Sequence, residues 1–193
     1  MGKFNLVIPA AGSATRLKPL SSNMSKIMVR VNGKPCLDYI IEAVNGGVEE
    51  IIIVDGKFDD IREYCKIKHP RIKFVNQPEL KGPRDAINIG IKKLKNLDKP
   101  LVVWLGDAII LEKDLPLGDD FLLTKEVQDQ SSWCMWDGSQ YYNKPKWYID
   151  DAVALVGLYS FAYGPGASKA FDRTNEYDIS HALENYAAEW GSF

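Results

Sequence analysis

Residues 4–20 read F-N-L-V-I-P-A-A-G-S-A-T-R-L-K-P-L, an apolar run that passes directly into a loop of small residues. The run from Phe4 to Ala11 is too short to span a membrane, and Pro9 followed by small residues interrupts it. It therefore predicts a buried strand. Small residues after a strand let main-chain N–H groups approach a phosphate closely, and the Arg16 guanidinium could pair with phosphate oxygens.

The loop matches neither of two common phosphate-binding motifs. The Walker motif requires a following Gly-Lys-Ser/Thr and the dinucleotide fingerprint requires Gly-x-Gly-x-x-Gly, and the sequence has neither. Loops of small residues are also common as tight connections. The loop alone therefore leaves both a phosphate site and a plain turn open.

Short runs rich in Val and Ile alternate along the chain with segments of helical period. This pattern is typical of an α/β protein with a mainly parallel sheet flanked by helices. The predicted strands are residues 5–9, 50–55, 72–76 and 101–105. The predicted helices carry apolar residues over 37–44, 61–65, 87–94 and 179–186, the first of them ending at Gly46 and Gly47.

The second half of the chain has a different pattern. Residues 121–124, 132–136 and 152–161 are prone to form strands, and the polar, aromatic stretch 137–150 interrupts them. They predict an added mixed-sheet region beside the parallel core. We find no repeat, low-complexity tract or long linker, so we expect residues 1–193 to form a single domain.

The fold class also predicts where a ligand would bind. In open α/β sheets, ligands lie at the carboxyl ends of the strands. The loops after the first, third and fourth predicted strands should therefore converge on one crevice.

Composition excludes several classes of function. Hydrophobic residues make up 46% and charged residues 26%, as in folded globular proteins and unlike disordered chains. With 24 basic and 26 acidic residues the net charge is −2, which favours neither nucleic acid nor an anionic membrane as a partner. Cys36, Cys65 and Cys134 are widely spaced, which predicts neither disulfides nor a zinc site and favours the cytoplasm.

Residues 11–35 read A-G-S-A-T-R-L-K-P-L-S-S-N-M-S-K-I-M-V-R-V-N-G-K-P. This stretch resembles the signature of the sugar-phosphate nucleotidylyltransferase family, G-x-G-T-R-L-x-P-L-T followed by P-K and K-P. Two residues differ, since Ala14 stands at the second glycine and Ser25 at the proline before Lys26. Ala14 is still small, so the main chain can still approach a ligand closely.

Later blocks resemble the same family in the same order. Q-P-E-L-K-G-P-R-D-A at 77–86 is similar to its nucleobase loop, and L-V-V-W-L-G-D at 101–107 is similar to the strand before its metal-binding aspartate. N-K-P at 143–145, A-V-A-L-V-G-L-Y at 152–159 and E-Y-D-I-S at 176–180 resemble its E-K-P, A-V-x-x-G-L-Y and E-L-E-I-[ST] blocks. The resemblance implies a Rossmann-like nucleotide-diphospho-sugar transferase fold.

The resemblance also implies a reaction, the transfer of a nucleoside monophosphate from a nucleoside triphosphate to a sugar phosphate with release of pyrophosphate. It assigns Arg16 to the pyrophosphate, Lys26 to the α-phosphate and Asp107 to a Mg²⁺ ion. Lys144 would bind the substrate phosphate. The implied nucleotide-binding residues are Ala10, Ala11, Gly12, Ser13, Ala14, Gln77 and Gly82. Because a phosphate monoester is largely dianionic at neutral pH, the attacking group needs no protein base.

The departures from the family leave alternatives open. Asn143 replaces the glutamate that contacts sugar hydroxyls, and no second metal-binding aspartate follows Trp190. Either the chain is truncated at its C-terminus, or the metal is held by one carboxylate with phosphates and water.

Two other functions are compatible with the sequence. One is a cytidylyltransferase for a non-sugar phosphate such as phosphocholine, whose quaternary amine an aromatic cage could bind. The candidate cage residues are Trp133, Trp136, Tyr141, Tyr142, Trp147 and Tyr148. The other is a catalytically inactive nucleotide-binding module, which the retention of Arg16, Lys26 and Asp107 disfavours. The nucleobase, the acceptor and the oligomeric state stay undetermined, and a homo-oligomer is open.

Overall fold

A computed structural model describes residues 3–12, 15–44, 46–175, 177–191 and 193, with the main chain alone at residue 16. The strands are β1 (Phe4–Pro9), β2 (Arg30–Val31), β3 (Lys34–Pro35), β4 (Val48–Asp55), β5 (Lys73–Asn76), β6 (Leu101–Trp104), β7 (Phe121–Lys125), β8 (Cys134–Trp136), β9 (Tyr141–Asn143) and β10 (Val153–Phe161). The helices are α1 (Cys36–Ala43), α2 (Asp60–Lys68), α3 (Gly82–Lys93), α4 (Gly164–Asp172) and α5 (Ser180–Glu189). Short 3-10 turns span Thr15–Leu17 and Lys26–Met28.

The main sheet has the order β5-β4-β1-β6-β10-β8-β9, with β7 paired to β10. β1 lies at the centre of the parallel part, where Val7 pairs with Ile52 of β4 and Val103 of β6. β10 runs antiparallel to β6 and begins the mixed part of the sheet. The predicted α/β fold with an added mixed-sheet region is confirmed.

Helices cover both faces of the parallel strands. Leu6 and Ile8 of β1 belong to an apolar cluster with Leu37 of α1 and Ile61 of α2. Val7 points to the other face, in a cluster that includes residues of α3, α4 and α5. Because both faces are buried, the segments 6–8, 51–54 and 101–104 of β1, β4 and β6 are continuously apolar and do not alternate with polar residues.

Two elements of the mixed region were not predicted. The stretch 137–150, expected only to interrupt the strands, contains β9, which forms a hairpin with β8. Helix α4 was missed because its sequence G-P-G-A-S-K-A-F-D carries two glycines and a proline. Pro165 lies in the first turn, where a helix tolerates it, and both glycines are closely packed.

The first helix also ends earlier than expected. α1 ends at Ala43, and Gly46 follows in a left-handed conformation with φ of 82°.

Among the helices of the described residues, none is long and apolar enough to cross a membrane.

Gly90 of α3 offers a test of how tightly the helices pack on the sheet. An ideal Cβ on Gly90 would lie 2.5 Å from Val7 Cγ1 and 2.9 Å from Val54 Cγ2. We expect Gly90→Ala to lower the free energy of unfolding by about 1 kcal/mol, since overpacking outweighs the gain in helix propensity. Urea unfolding followed by circular dichroism measures this. Lys93→Ala, at an exposed position of the same helix, should change it by less than about 0.5 kcal/mol. A Gly90→Ala protein as stable as the parent would contradict the packing.

Candidate functional site

A cavity of about 390 Å³ lies at the carboxyl ends of β1, β4 and β5. It is lined by the loop after β1, by the loop after β4 and by the loop after β5. The lining residues are Ala10, Ala11, Gly12, Thr15, Lys18, Ser21, Ser22 and Ser25, then Gly56, Lys57 and Phe58, then Asn76, Gln77, Pro78 and Leu80. The loops after the first and third predicted strands thus meet here, and the loop after the second one joins them.

Gly56 brings the loop after β4 against the loop after β1. An ideal Cβ on Gly56 would lie 2.6 Å from the main-chain oxygen of Ala11, so this close approach requires glycine. The main-chain N–H of Ala10 also donates to Val54 O at 2.8 Å. Sequence reasoning did not select Gly56, although an Asp-Gly pair directly after a buried strand was a usable signal.

An ion pair between a buried carboxylate and a partly exposed guanidinium joins the end of β4 to α2. The Asp55 carboxylate accepts two hydrogen bonds from the Arg62 guanidinium, one of them 2.9 Å from Nη2 to Oδ1. The hydrogen bond to Asp55 raises the pKa of Arg62 above its ordinary value. The main-chain oxygen of Asp55 accepts a hydrogen bond from the main-chain N–H of Gln77 at 2.9 Å. The start of the loop after β5 is therefore held against β4.

Gln77 is buried, and its side-chain amide has a defined orientation. Nε2 donates to Asp85 Oδ2 at 2.8 Å and to the main-chain oxygen of Gly82 at 3.3 Å. Because both amide hydrogens are used, Oε1 is the group that remains for a ligand. Gly82 has φ of 91°, and an ideal Cβ there would lie 2.4 Å from Tyr177 O. Gly82 therefore lies behind Gln77 and supports it.

Lys26 and Asp107 are brought together, as the resemblance implied. Lys26 Nζ lies 2.8 Å from Asp107 Oδ2, with the two side chains 21% and 50% exposed. Ile27 is fully buried beneath them, and an ideal Cβ on Gly106 would lie only 3.2 Å from Ile27 Cδ1. The Gly-Asp pair after β6 thus places a carboxylate next to the turn that carries Lys26.

The buried neighbours of Asp107 are neutral groups. Burial and then the charge of Asp107 raise the pKa of the Cys36 thiol. Burial, with Cys134 and Asp107 as further causes, raises the pKa of the Tyr159 hydroxyl. Both groups stay protonated at neutral pH, so the charge that balances Asp107 comes from Lys26.

Lys144 follows β9 and is exposed. Its main-chain N–H donates to Trp133 O at 2.9 Å, and its φ is 50°. The preceding Asn143 donates from Nδ2 to Asp178 Oδ2 at 2.7 Å. Because Tyr177 packs on Gly82, residues 177–178 connect this end of β9 to the loop after β5.

Three of the predicted positions cannot be placed in full. Ser13 and Ala14 lie outside the described residues, as does the side chain of Arg16, whose main chain is in the turn Thr15–Leu17. Ala10, Ala11 and Gly12 line the cavity.

The described residues can supply little of a metal's coordination shell. They include no group of three His, Cys, Asp or Glu side chains arranged to hold a metal ion. Asp107 offers a half-exposed carboxylate next to Lys26. This fits Mg²⁺, which commonly binds one or two carboxylates and keeps water and phosphate oxygens as its other ligands.

The aromatic residues considered for an amine cage are divided between two environments. Trp136 and Tyr141 stack on each other, with ring centroids 6.4 Å apart, and pack against the core. Trp147 and Tyr148 are exposed. Packing in the core therefore accounts for the first pair.

Comparison with known proteins agrees with this geometry. The family model described as Nucleotidyl transferase matches residues 5–121. The chain belongs to this family. It is 39% identical over 123 residues to the bifunctional protein GlmU of Methanocaldococcus jannaschii, covering 63% of this chain and 28% of that protein. It is 34% identical over 136 residues to the UTP--glucose-1-phosphate uridylyltransferase of Staphylococcus epidermidis, covering 57% of this chain and 46% of that protein.

The fold of this nucleotidyl transferase is also found in solved structures. The structure of UDP-glucose pyrophosphorylase complexed with UDP-glucose matches with a TM-score of 0.77 at 23% identity, over 97% of this chain and 88% of that one. The structure of a putative glucose-1-phosphate thymidylyltransferase from Bacillus anthracis matches with a TM-score of 0.81 at 18% identity, over 97% and 84%. The resemblance stated from the sequence is confirmed. The chain spans less than half the length of each of the two curated relatives named above.

Two glycines of the cavity wall should respond differently to the same substitution. An ideal Cβ on Gly12 would have no described atom within 4 Å, whereas one on Gly56 would clash with Ala11. We expect Gly12→Ala to leave the unfolding midpoint unchanged but to weaken nucleoside triphosphate binding about tenfold or more, because the methyl group occupies space that a phosphate needs. Gly56→Ala should lower both the unfolding midpoint and the affinity for the nucleoside triphosphate. Thermal unfolding and isothermal titration calorimetry measure the two effects. Unchanged affinity in the Gly12→Ala protein would contradict a phosphate site at this loop.

Proposed function

We propose that this nucleotidyl transferase transfers a nucleoside monophosphate from a nucleoside triphosphate to a sugar phosphate, releasing pyrophosphate. The observation that carries the proposal is the 2.8 Å contact between Lys26 and Asp107 beside a cavity built from the loops after β1, β4 and β5. The activity named for the relative in Staphylococcus epidermidis, a UTP--glucose-1-phosphate uridylyltransferase, supports it.

In the proposed reaction, an oxygen of the substrate phosphate attacks the α-phosphorus. A new oxygen–phosphorus bond forms, and the bond from the α-phosphorus to the bridging oxygen breaks, so pyrophosphate leaves with that electron pair. The attacking oxygen is already ionised, so the chain has to align and neutralise anionic groups and need not remove a proton.

Lys26 and Asp107 would stabilise the charges of the reaction in different ways. Lys26 would bind the α-phosphate oxygens, on which negative charge builds during the reaction. Asp107 would hold Mg²⁺, which when bound neutralises phosphate charge and reduces repulsion between the two reacting anions. Because Ile27 packs close to Gly106, the turn that carries Lys26 and the loop that carries Asp107 lie together before substrate arrives. By resemblance, Arg16 would pair with the pyrophosphate and Lys144 with the substrate phosphate.

Gln77 favours a uracil or thymine base over cytosine. Opposite position 3 of a pyrimidine, its Oε1 would accept a hydrogen bond from the N3–H of uracil or thymine, whereas N3 of cytosine carries no hydrogen. The hydrogen bond to Asp85, at 2.8 Å, fixes this orientation of the amide. We therefore expect UTP or dTTP to be preferred to CTP.

A pyrophosphate-release assay tests the reaction. Common nucleoside triphosphates are screened with Mg²⁺ against sugar 1-phosphates and phosphocholine. We expect turnover with one pair, and a loss of roughly 100-fold or more in kcat for Asp107→Asn and for Lys26→Ala, because each removes a group that stabilises charge in the transition state. Glu112→Gln, at an exposed position shortly after Asp107, should retain activity.

Three outcomes would contradict the proposal. Full activity of both Asp107→Asn and Lys26→Ala would show that neither residue takes part in the reaction. Turnover with phosphocholine alone would support the non-sugar alternative. Nucleotide binding without turnover on any acceptor would support the inactive nucleotide-binding module.

Asp85→Asn tests the selection of the base. An asparagine can donate or accept, so the Gln77 amide is free to turn and present N–H to cytosine. We expect the preference for UTP over CTP, measured as the ratio of kcat/KM, to fall by about tenfold, the effect of roughly one hydrogen bond. A ratio that does not change would exclude Gln77 as the group that distinguishes the bases.

A further inference from the structure

Ser25 carries a buried hydroxyl with an unusual environment. The residue is only 4% exposed, yet its Oγ has no hydrogen-bond partner among the residues that the structure describes. A buried hydroxyl without a partner costs free energy in the folded protein. Such a group commonly marks a place where something else binds.

The hydroxyl belongs to the wall of the cavity. In the described part of the chain, three buried side-chain atoms lack a partner, namely Asn5 Oδ1, Ser25 Oγ and Asn88 Oδ1. Ser25 lines the cavity, together with Ser21, Ser22 and Lys18, and the two asparagines do not. The next residue is Lys26, whose ammonium group contacts Asp107. The unpaired hydroxyl therefore lies next to the groups that would meet phosphates.

The main chain of Ser25 is held on both sides. Its N–H donates to Asp60 Oδ2 at 2.9 Å, and its carbonyl oxygen accepts the N–H of Met28 at 3.0 Å. Asp60 is the first residue of α2, and its Oδ1 lies 3.0 Å from the N–H of Ile61. The position of the Ser25 side chain is thus set by a helix on the other side of the loop.

Serine supplies what the signature's proline cannot. Ser25 has φ of −65°, a value that proline also adopts, so the main chain itself does not require serine. A proline would have neither the N–H that binds Asp60 nor the hydroxyl. The Ser25 N–H is hydrogen-bonded to Asp60. The Ser25 hydroxyl has no partner among the described residues of the free protein.

We propose that Ser25 Oγ–H donates a hydrogen bond to a phosphate oxygen of the bound nucleoside triphosphate, and that Asp60 is the positioning residue that sets this hydroxyl. The proposal rests on the proposed function, because it assumes that the cavity binds the nucleotide.

The central test is Ser25→Ala, measured by titration calorimetry with UTP and with dTTP in Mg²⁺ and without acceptor. We expect about three- to tenfold weaker binding, the effect of one hydrogen bond. The unfolding midpoint of the free protein should stay the same or rise, since the substitution removes an unpaired buried hydroxyl. Weaker binding without loss of stability distinguishes a ligand contact from a structural one. Uridine, titrated by ligand-observed NMR, should bind both proteins equally, because it lacks phosphates.

Ser160 provides a matched control. It is also buried, but its Oγ accepts the main-chain N–H of Gly118 at 3.0 Å. It lies near the end of β10, at the opposite edge of the sheet from the cavity. Ser160→Ala should therefore lower the unfolding midpoint and leave the affinity for UTP unchanged.

The role of Asp60 is tested by combining variants. Asp60→Ala should weaken UTP binding, while Asp60→Asn keeps an oxygen acceptor and should bind UTP more nearly like the parent. In the Ser25→Ala background, Asp60→Ala should cause little further loss, because the group that it positions is absent. Equal, additive losses in both backgrounds would show that Asp60 acts independently of the hydroxyl.

The outcomes separate the two proposals. If the parent binds UTP or dTTP and Ser25→Ala binds it equally well, the hydroxyl is not a ligand and the proposed function still stands. A lower unfolding midpoint in Ser25→Ala, or an equal loss of uridine binding, would also overturn the phosphate contact. If the parent binds no nucleoside triphosphate, the proposed function fails and this inference fails with it.

Discussion

The contact between Lys26 and Asp107 links the turn that follows β1 to the loop that follows β6. It forms because β1 and β6 are parallel neighbours, paired from Asn5–Leu101 to Val7–Val103, so that their carboxyl ends lie side by side. Gly106 then lets Ile27 pack closely beneath both charged residues. Moving either strand in register would separate a cation from a carboxylate that now lies 2.8 Å away.

This pair contributes little to the stability of the fold. Both side chains are partly exposed, and ion pairs in contact with water typically contribute only about 0–1 kcal/mol. Stability comes from the two apolar clusters on either face of the sheet. The sheet therefore supplies the stability, and the loops at its edge carry Lys26 and Asp107. The residue types in those loops are not required for the stability of the core.

Three aspartates stand behind the cavity, each holding a different part of its wall. Asp55 binds Arg62 of α2, Asp85 orients the amide of Gln77, and Asp60 holds the main chain of Ser25. Each hydrogen bond is made by a carboxylate, and such charge-assisted bonds are stronger than neutral ones. The groups that line the cavity are thus held in place in the free protein.

The strands of the parallel core, and the candidate site residues that lie in local motifs, such as Lys26, Gln77 and Asp107, could be predicted from the sequence. Hydrophobic periodicity and short motifs are properties of neighbouring residues, so the printed sequence contains them. The formation of α4, the contact of Gly56 with Ala11 and the hydrogen bond from Ser25 to Asp60 were visible only in the folded chain. These features depend on which distant residues meet, and packing overrides the local preference of glycine and proline in α4.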